Sequence, residues 1–299
     1  MKKQNFITSQ IDGLCALILV LPISCLATEL DVANISENQS AISIEIERPR
    51  PLATAALALM DKYGYSVAYE DPIYSYDDKL EDAAPRVFKS SRVPSTGKPL
   101  TLMVPKGGML AARISSKSPS DVLHKVIESQ YASNRGGQFR LEQRGDLYQI
   151  IPTHTKVKNG NWSNQRTVLD SNISLVQKSR TDQELIKEIC DEVAEKSGIR
   201  IQAVWPISIN VASDAVPTTY NFGSNLEPAR NILIRALDAI ASERGKMSWI
   251  MLYNPQSGQE GYMLNLVQVP SSPNFSPPAV VRPAVVDKLG AAGNHPSFK

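Results

Sequence analysis

The sequence predicts an α+β fold made of two successive modules, each with the element order β-α-β-β-α-β-β. Hydrophobic periodicity switches between two and 3.6 residues along 41–270, as it does where strands and helices follow one another. Two patterns recur in the same order: Lys-x-Gly with a proline eight residues after the glycine, at Gly64 and Gly198, and Ser-x-Arg-Gly, ending at Gly136 and Gly245. These matches indicate an internal duplication. Right-handed crossovers would place two helices on one face of a small mixed sheet in each module.

The first module begins with a strand over residues 42–46, where isoleucine alternates with polar residues. Proline suits the first position of a helix and glycine the left-handed position after its end, so we expect a helix from Pro51 to a cap at Gly64. The later elements are strands over 67–69 and 100–104, a helix over 118–131 whose buried stripe ends at Tyr131, and a hairpin over 139–151 that turns at 144–146.

The second module repeats this order. Thr181 and Glu184 have the spacing of a capping box, which predicts a helix that ends at Gly198. The other expected elements are strands over 173–175, 199–203 and 218–222, a helix that begins near Ser224 or Asn225, and a hairpin over 249–269.

The N-terminal residues resemble a secretory signal. Lys2 and Lys3 precede an apolar run over 14–23, and Cys25 and Ala27 place small residues at the two cleavage-recognition positions, which suits cleavage after Ala27. A retained membrane anchor is the alternative, although the run is shorter than the about 20 residues that a spanning helix needs. Lipidation at Cys25 is a weaker alternative, because proline occupies the position where a lipobox prefers leucine. We therefore expect a periplasmic or secreted protein without a retained transmembrane segment.

The composition of the chain also predicts the boundaries of its segments. The expected segments are a signal peptide over 1–27, a flexible lead-in over 28–40, a first module over 41–156 with an insertion over 70–98, a linker over 157–171, a second module over 172–270 and a disordered proline-rich tail over 271–299.

Charge and cysteine content exclude several classes. The formal net charge is only +2, whereas nucleic-acid binding needs a clustered basic face, so we expect no nucleic-acid partner. Cys15 and Cys25 lie in the signal, which leaves Cys190 as the single cysteine of the exported chain. No internal disulfide can form, and Cys190 is expected to be a small buried residue on a helix.

Three stretches resemble a known domain. They are Arg50-Pro-Leu-Ala-Thr-Ala-Ala56, Gly64-Tyr-Ser-Val-Ala-Tyr-Glu70 and Asn225-Leu-Glu-Pro-Ala-Arg-Asn-Ile-Leu-Ile-Arg-Ala-Leu237. With the element order, they are similar to the short N-terminal (STN-like) domain of secretins and TonB-dependent receptors. The resemblance implies a periplasmic module that docks a partner protein or segment and has no catalytic residues. No barrel, secretin-ring or plug sequence accompanies the two modules, so a free-standing tandem is expected.

Catalytic and metal-binding patterns are not found in the sequence. The three histidines, His124, His154 and His295, fall on different predicted segments and have no metal-ligand spacing. We therefore expect a protein that is not an enzyme, with no catalytic residues, no metal and no cofactor.

The acidic, tyrosine-rich start of the insertion is the candidate partner-binding site. Phenol rings offer flat faces and carboxylates offer charge, and a connection of this length without regular structure is either functional or disordered. The candidate residues are Tyr69, Glu70, Asp71, Tyr74, Tyr76, Asp77 and Asp78. An uncovered sheet edge that accepts an extended peptide is a second candidate, and it would leave almost no sequence motif.

These observations predict an exported, non-enzymatic docking module of the cell envelope, with an envelope protein or an extended peptide as its partner. Two alternatives stay open: a glycan- or metal-binding module, and a secreted hydrolase that uses acids of residues 70–82. The sequence does not predict the oligomeric state.

Overall fold

The computed structural model describes residues 33–38, 41–74, 80–82, 103–105, 108–132, 137–157, 159–206, 218–255 and 260–271. Helices and strands are both abundant, so the predicted α+β class is confirmed. None of the helices within these ranges is long and apolar enough to cross a membrane.

The first half contains two helices and most of the short strands. Its elements are β1 (Asn34–Asn38), β2 (Ala41–Arg48), α1 (Pro51–Tyr63), β3 (Ser66–Glu70), β4 (Leu80–Asp82), β5 (Met103–Pro105), β6 (Gly108–Ile114), α2 (Pro119–Ala132), β7 (Gln138–Arg144) and β8 (Leu147–Lys156). Gly64 follows α1 with φ 66°, as the sequence predicts.

The second half contains the elements β9 (Trp162–Asn164), a 3₁₀ turn (Val168–Asp170), β10 (Asn172–Thr181), α3 (Asp182–Ser197), β11 (Arg200–Val204), β12 (Thr219–Pro228), α4 (Ala229–Arg244), β13 (Met247–Asn254) and β14 (Gly261–Gln268). The predicted capping box is present: the Glu184 amide donates to the Thr181 hydroxyl, and the Glu184 carboxylate accepts from the Thr181 amide. Gly198 takes the left-handed conformation, with φ 69°.

One seven-stranded sheet joins the two halves. Its order is β11-β14-β13-β3-β8-β7, and β9 pairs with β8. The junction is parallel, with Ile250 of β13 opposite Tyr69 of β3. In each half, a parallel pair (β3–β8 or β11–β14) adjoins an antiparallel hairpin (β7–β8 or β13–β14). The halves therefore share one sheet.

The helices of the two halves pack on opposite faces of this sheet. Along β3, Val67 and Tyr69 belong to the core formed with α1 and α2, whereas Ala68 belongs to the core formed with α3 and α4. On β13, Ile250 faces the first of these cores and Trp249 faces the second. Because both faces are covered, the central strands carry apolar residues on both sides.

Each half also carries a smaller antiparallel sheet beside its helices. In the first half β2 and β6 pair, and in the second half β10 and β12 pair. The first of these sheets has a third member, because β1 pairs with the outer side of β2.

Several predicted boundaries are wrong. Residues 34–38 of the lead-in form β1, and part of the linker forms β9 and a buried 3₁₀ turn. The strand expected over 100–104 appears in the described residues only as β5, paired with β4, and the counterpart of β12 is β6. The expected helix start near Ser224 fails because β12 continues to Pro228. Tyr131 is 42% exposed, since its hydroxyl bonds the Phe139 backbone at the edge of the core.

Candidate functional site

The predicted site residues that the structure describes are buried at the junction of the two halves. Tyr69, Glu70, Asp71 and Tyr74 expose 2%, 1%, 0% and 7% of their surface. A partner cannot contact these side chains without opening the fold. Tyr76, Asp77 and Asp78 lie outside the described residues.

Asp71 bonds to groups from both halves. One of its carboxylate oxygens accepts from Arg50 Nε at 2.6 Å and from the Tyr253 amide at 3.0 Å. The other accepts from the hydroxyls of Tyr69 at 2.7 Å and Tyr74 at 3.3 Å. Arg50 also donates to the Tyr253 carbonyl at 2.8 Å. Burial, the Asp71 charge and the bond to its carboxylate hold the pKa of Tyr69 well above its usual value, so the phenol stays protonated and donates.

Glu70 makes the second connection across the junction. Both of its carboxylate oxygens accept from the guanidinium of Arg230, at the start of α4. Arg230 also donates to Thr167 Oγ1 at 2.8 Å and to Asp170 Oδ1 at 3.0 Å. Burial raises the pKa of Glu70, and the nearby Arg230 charge opposes this rise. The Glu70–Arg230 pair thus joins the halves directly, and the Arg50–Asp71 pair of the first half reaches the second half through the Tyr253 backbone.

The insertion reaches over the second half. Tyr74 and Leu80 belong to the core formed with α3 and α4. Met103, on the strand β5 that pairs with β4 of the insertion, packs against the same core. The Tyr262 hydroxyl, on β14, donates to the Asp71 carbonyl at 3.2 Å. The described part of the insertion therefore ties the two halves together.

The smaller sheets show a more accessible feature. In the first half, β1 covers the outer edge of β2 from Ala41 to Glu45. The number of residues up to the following helix is the same in both halves. Ile44 lies six residues before Arg50, which directly precedes α1, and Leu175 lies six residues before Thr181, which directly precedes α3. Counted back from the helix, residues 172–176 of β10 therefore correspond to residues 41–45 of β2, and β10 has a bulge after Leu175 that β2 lacks. They pair with β12 on one side, and no strand of the described ranges pairs with their other side. We call residues 172–176 the β10 edge.

The β10 edge is short, uncharged and solvent-exposed. Its sequence, Asn-Ile-Ser-Leu-Val, has no lysine, acid or proline, the residues with which proteins usually protect an edge strand. Ile173 and Leu175 point into the core, whereas Val176 is 74% exposed, more than any other described large hydrophobic residue. Leu226, 69% exposed, lies on the partner strand β12. The second small sheet therefore presents apolar side chains to solvent.

The pairing register indicates which amides face outward. Asn38 and Ala41 are paired and are separated by two residues. In a hairpin with a two-residue connection, the N–H of each of these two residues bonds the C=O of the other. Ser43 and Glu45 follow at the strand period of two and also turn toward β1. The counterpart of Ser43, Ser174, then turns its amide toward the uncovered side of β10, whereas the Val176 carbonyl is bonded by Arg180.

A buried arginine fixes the far end of this edge. Arg180 is 2% exposed and donates to the carbonyls of Val176 at 2.7 Å and Phe222 at 2.7 Å. Its guanidinium also bonds both carboxylate oxygens of Glu188, at 2.6 and 2.8 Å. These bonds support a bulge where the register of β10 against β12 shifts between Leu175 and Lys178. A β-carbon at Gly223, opposite the bulge, would lie 2.7 Å from Gln177 Cα, so the bulge needs glycine there.

The other candidate residues form no site in the described part of the chain. Cys190 is buried, and burial raises the pKa of its thiol to about 12, which keeps it protonated. His124 is exposed on α2, and His154 is half-buried on β8. Within the described ranges, no three histidine, cysteine or acidic side chains are grouped as metal ligands would be.

The sequence did not identify the β10 edge as a specific site. Its amides carry no side-chain motif, and only the recurrence of Ile-Ser at 42–43 and 173–174 links it to the covered strand.

No model of a known protein family matches the chain, and no curated protein matches it.

Proposed function

We propose that this chain is an exported, non-enzymatic docking module of the cell envelope, which binds an extended segment of a partner protein beside β10. One observation carries the proposal: β1 covers the outer edge of β2 in the first half, whereas no strand of the described residues pairs with the β10 edge on the side away from β12. An added strand supplies backbone hydrogen bonds and makes few demands on side chains.

Two acids of residues 70–82, Glu70 and Asp71, do not support the alternatives. Glu70 and Asp71 are bonded by Arg230 and Arg50, so neither is available to a sugar or a substrate without breaking a buried pair. The docking proposal therefore moves from the insertion to the β10 edge. Export rests on the signal-like residues at the start of the chain.

Site-specific photo-crosslinking in cells that express the full chain tests the docking function. A crosslinking amino acid at Val176 should give a discrete covalent adduct, and the same group at Tyr131, exposed on α2, should not. The Val176 adduct should map to one contiguous segment of the partner and disappear when Ser174→Pro removes an outward amide. An adduct that Ser174→Pro does not change would contradict strand addition.

Fractionation of the same cells tests export. The protein should appear in the periplasmic or external fraction with Thr28 as its first residue. A cytoplasmic protein that retains Met1 would overturn this part of the proposal.

A further inference from the structure

The strand β1 shows what the chain itself places beside a β2-type edge. It runs antiparallel to β2, with Ile35 opposite Ile44. Ile35 is half-buried and packs against the core under α1, whereas the neighbouring Asn34 and Ser36 are exposed. Lys62, in the last turn of α1, donates to the Ile35 carbonyl at 2.7 Å. Ile35 is thus the aliphatic residue of β1 that packs on the core, and the β1 backbone bonds Lys62.

The second half has a counterpart of Ile44, the residue that Ile35 of β1 faces. Leu175 is the counterpart of Ile44, and the two are buried to a similar degree, at 3% and 0% exposure. Both lie under the first helix of their half, since α1 packs on β2 and α3 packs on β10. A strand added beside β10 would therefore place its aliphatic residue opposite Leu175, at the margin of the core under α3.

The second half has no counterparts of the two residues that bond Glu37, the acid of β1. Glu37 bonds Lys117 Nζ at 2.5 Å and the Tyr63 hydroxyl at 3.3 Å. In the second half, Ser197 takes the place of Tyr63 before the glycine cap. Lys117 lies in the connection 115–118 between β6 and α2, whereas β12 runs directly into α4. An acid at this position of an added strand would find neither contact.

Building on the proposed function, we infer the chemistry of the partner. The β10 edge takes a five-residue extended segment of another polypeptide, antiparallel to β10, with an aliphatic residue opposite Leu175 and no requirement for an acid two residues later. The carbonyl of that aliphatic residue faces Lys196, which holds the place of Lys62 two residues before the glycine cap. Side chains at the other three positions face solvent, as Asn34 and Ser36 do on β1.

The peptide Ala-Asn-Ile-Ser-Glu-Asn, which reproduces residues 33–38, is the probe, and amide NMR of the full chain is the measurement. So short a strand should bind with a Kd on the order of 1 mM. Saturable shifts should centre on the amides of residues 172–176. Replacing the probe's glutamate by glutamine should leave the Kd unchanged, and replacing its isoleucine by asparagine should weaken binding about tenfold.

Two variants of one residue control for folding. Ser174→Pro should abolish the shifts, whereas Ser174→Ala, which changes the side chain and keeps the amide, should keep them. Both variants should retain cooperative thermal unfolding. If Ser174→Pro does not fold, the same peptide with its serine and C-terminal asparagine amides N-methylated tests the same hydrogen bonds on the wild-type chain, because these amides face β2 in β1, and it should not bind.

The outcomes separate this inference from the proposed function. A Val176 adduct that depends on Ser174, together with equal binding of the isoleucine and asparagine probes, would overturn the partner chemistry and leave docking intact. Loss of both the adduct and the probe shifts would overturn both. A concentration-dependent dimer that Ser174→Pro dissociates would make a second copy the occupant and would also overturn the inference.

Discussion

The two halves of the chain share one element order but complete their sheets differently. In the first half, β1 covers β2 and β13 covers β3. In the second half, the counterpart strands β10 and β11 have no such neighbour among the described residues. The residues at the ends of β3 and β11 differ as well. The buried acids Glu70 and Asp71 lie six and seven residues after Gly64, whereas Val204 and Trp205 occupy these positions after Gly198. The glycines that recur therefore cap a helix in each half, whereas the residues that follow β3 and β11 differ between the halves.

Breaking the junction should have the largest effect. Arg230→Met leaves the buried Glu70 carboxylate without its cation, which should lower the free energy of unfolding by about 3–5 kcal/mol. Chemical denaturation measures this change. Arg235→Met is the matched control, because Arg235 pairs with Glu227 at an exposed position of the same helix and should cost about 0–1 kcal/mol.

A double variant sharpens the comparison. Adding Glu70→Gln to Arg230→Met should recover part of the loss, because the unpaired charge is removed. Equal stability of Arg230→Met and Arg235→Met would show that the buried pair does not hold the halves together.

The bulge at the end of the β10 edge should be the next most sensitive feature. Gly223→Ala places a β-carbon against the backbone of Gln177, so the bulge must shift, at a cost of about 1–3 kcal/mol. Ser224→Ala is the neighbouring control: the Ser224 hydroxyl is buried without a hydrogen-bond partner in the described residues, so its removal should be neutral or slightly stabilising. Thermal unfolding of both variants makes the measurement. A Gly223→Ala variant as stable as the wild type would show that the bulge is adaptable.

A smaller effect should appear at low pH. Hydrogen bonds from Arg180, helped by Lys178, lower the pKa of Glu188 from 4.5 to about 2. A carboxylate with a depressed pKa stabilises the fold above its unfolded-state pKa, and this stability is lost as the pH falls from about 4.5 to about 2. Glu188→Gln should therefore be less stable than the wild type at pH 7, and the difference should shrink across that window.

Denaturation at a series of pH values checks this expectation. Glu195→Gln, on the exposed side of the same helix, should follow the wild-type curve. A Glu188→Gln curve parallel to that of the wild type down to pH 2 would show that this pair does not stabilise β10.

The sequence predicted the parts of the fold that depend on local chemistry. Gly64, Gly198 and the Thr181–Glu184 box marked helix ends and starts because caps use short-range hydrogen bonds. The shared sheet was not predictable in this way, since the pairing of β13 with β3 joins residues about 180 positions apart without a local signal.

The burial of the candidate residues Glu70 and Asp71 was not predictable for a related reason. Acids and tyrosines after β3 are typical of an exposed loop, but Arg50 and Arg230, distant in sequence, provide partners that allow Glu70 and Asp71 to be buried. The β10 edge was missed because its amides have no sequence signature, and only the comparison with β2 in the folded chain distinguishes it.

The smallest predicted effect concerns a lysine that occurs in both halves. Lys62 donates to the β1 backbone, and Lys196 stands at the same position before its glycine cap, exposed on α3. Because α3 is three residues longer than α1, Lys196 lies about 4.5 Å further along the helix axis, a displacement that its flexible side chain can accommodate. Lys196→Ala should therefore weaken binding of the Ala-Asn-Ile-Ser-Glu-Asn probe about two- to threefold, measured by NMR titration, with Lys187→Ala as the control on the same helix. A Lys196→Ala titration that superimposes on the wild-type curve would mean that the β10 edge holds its partner through strand hydrogen bonds and the aliphatic contact alone.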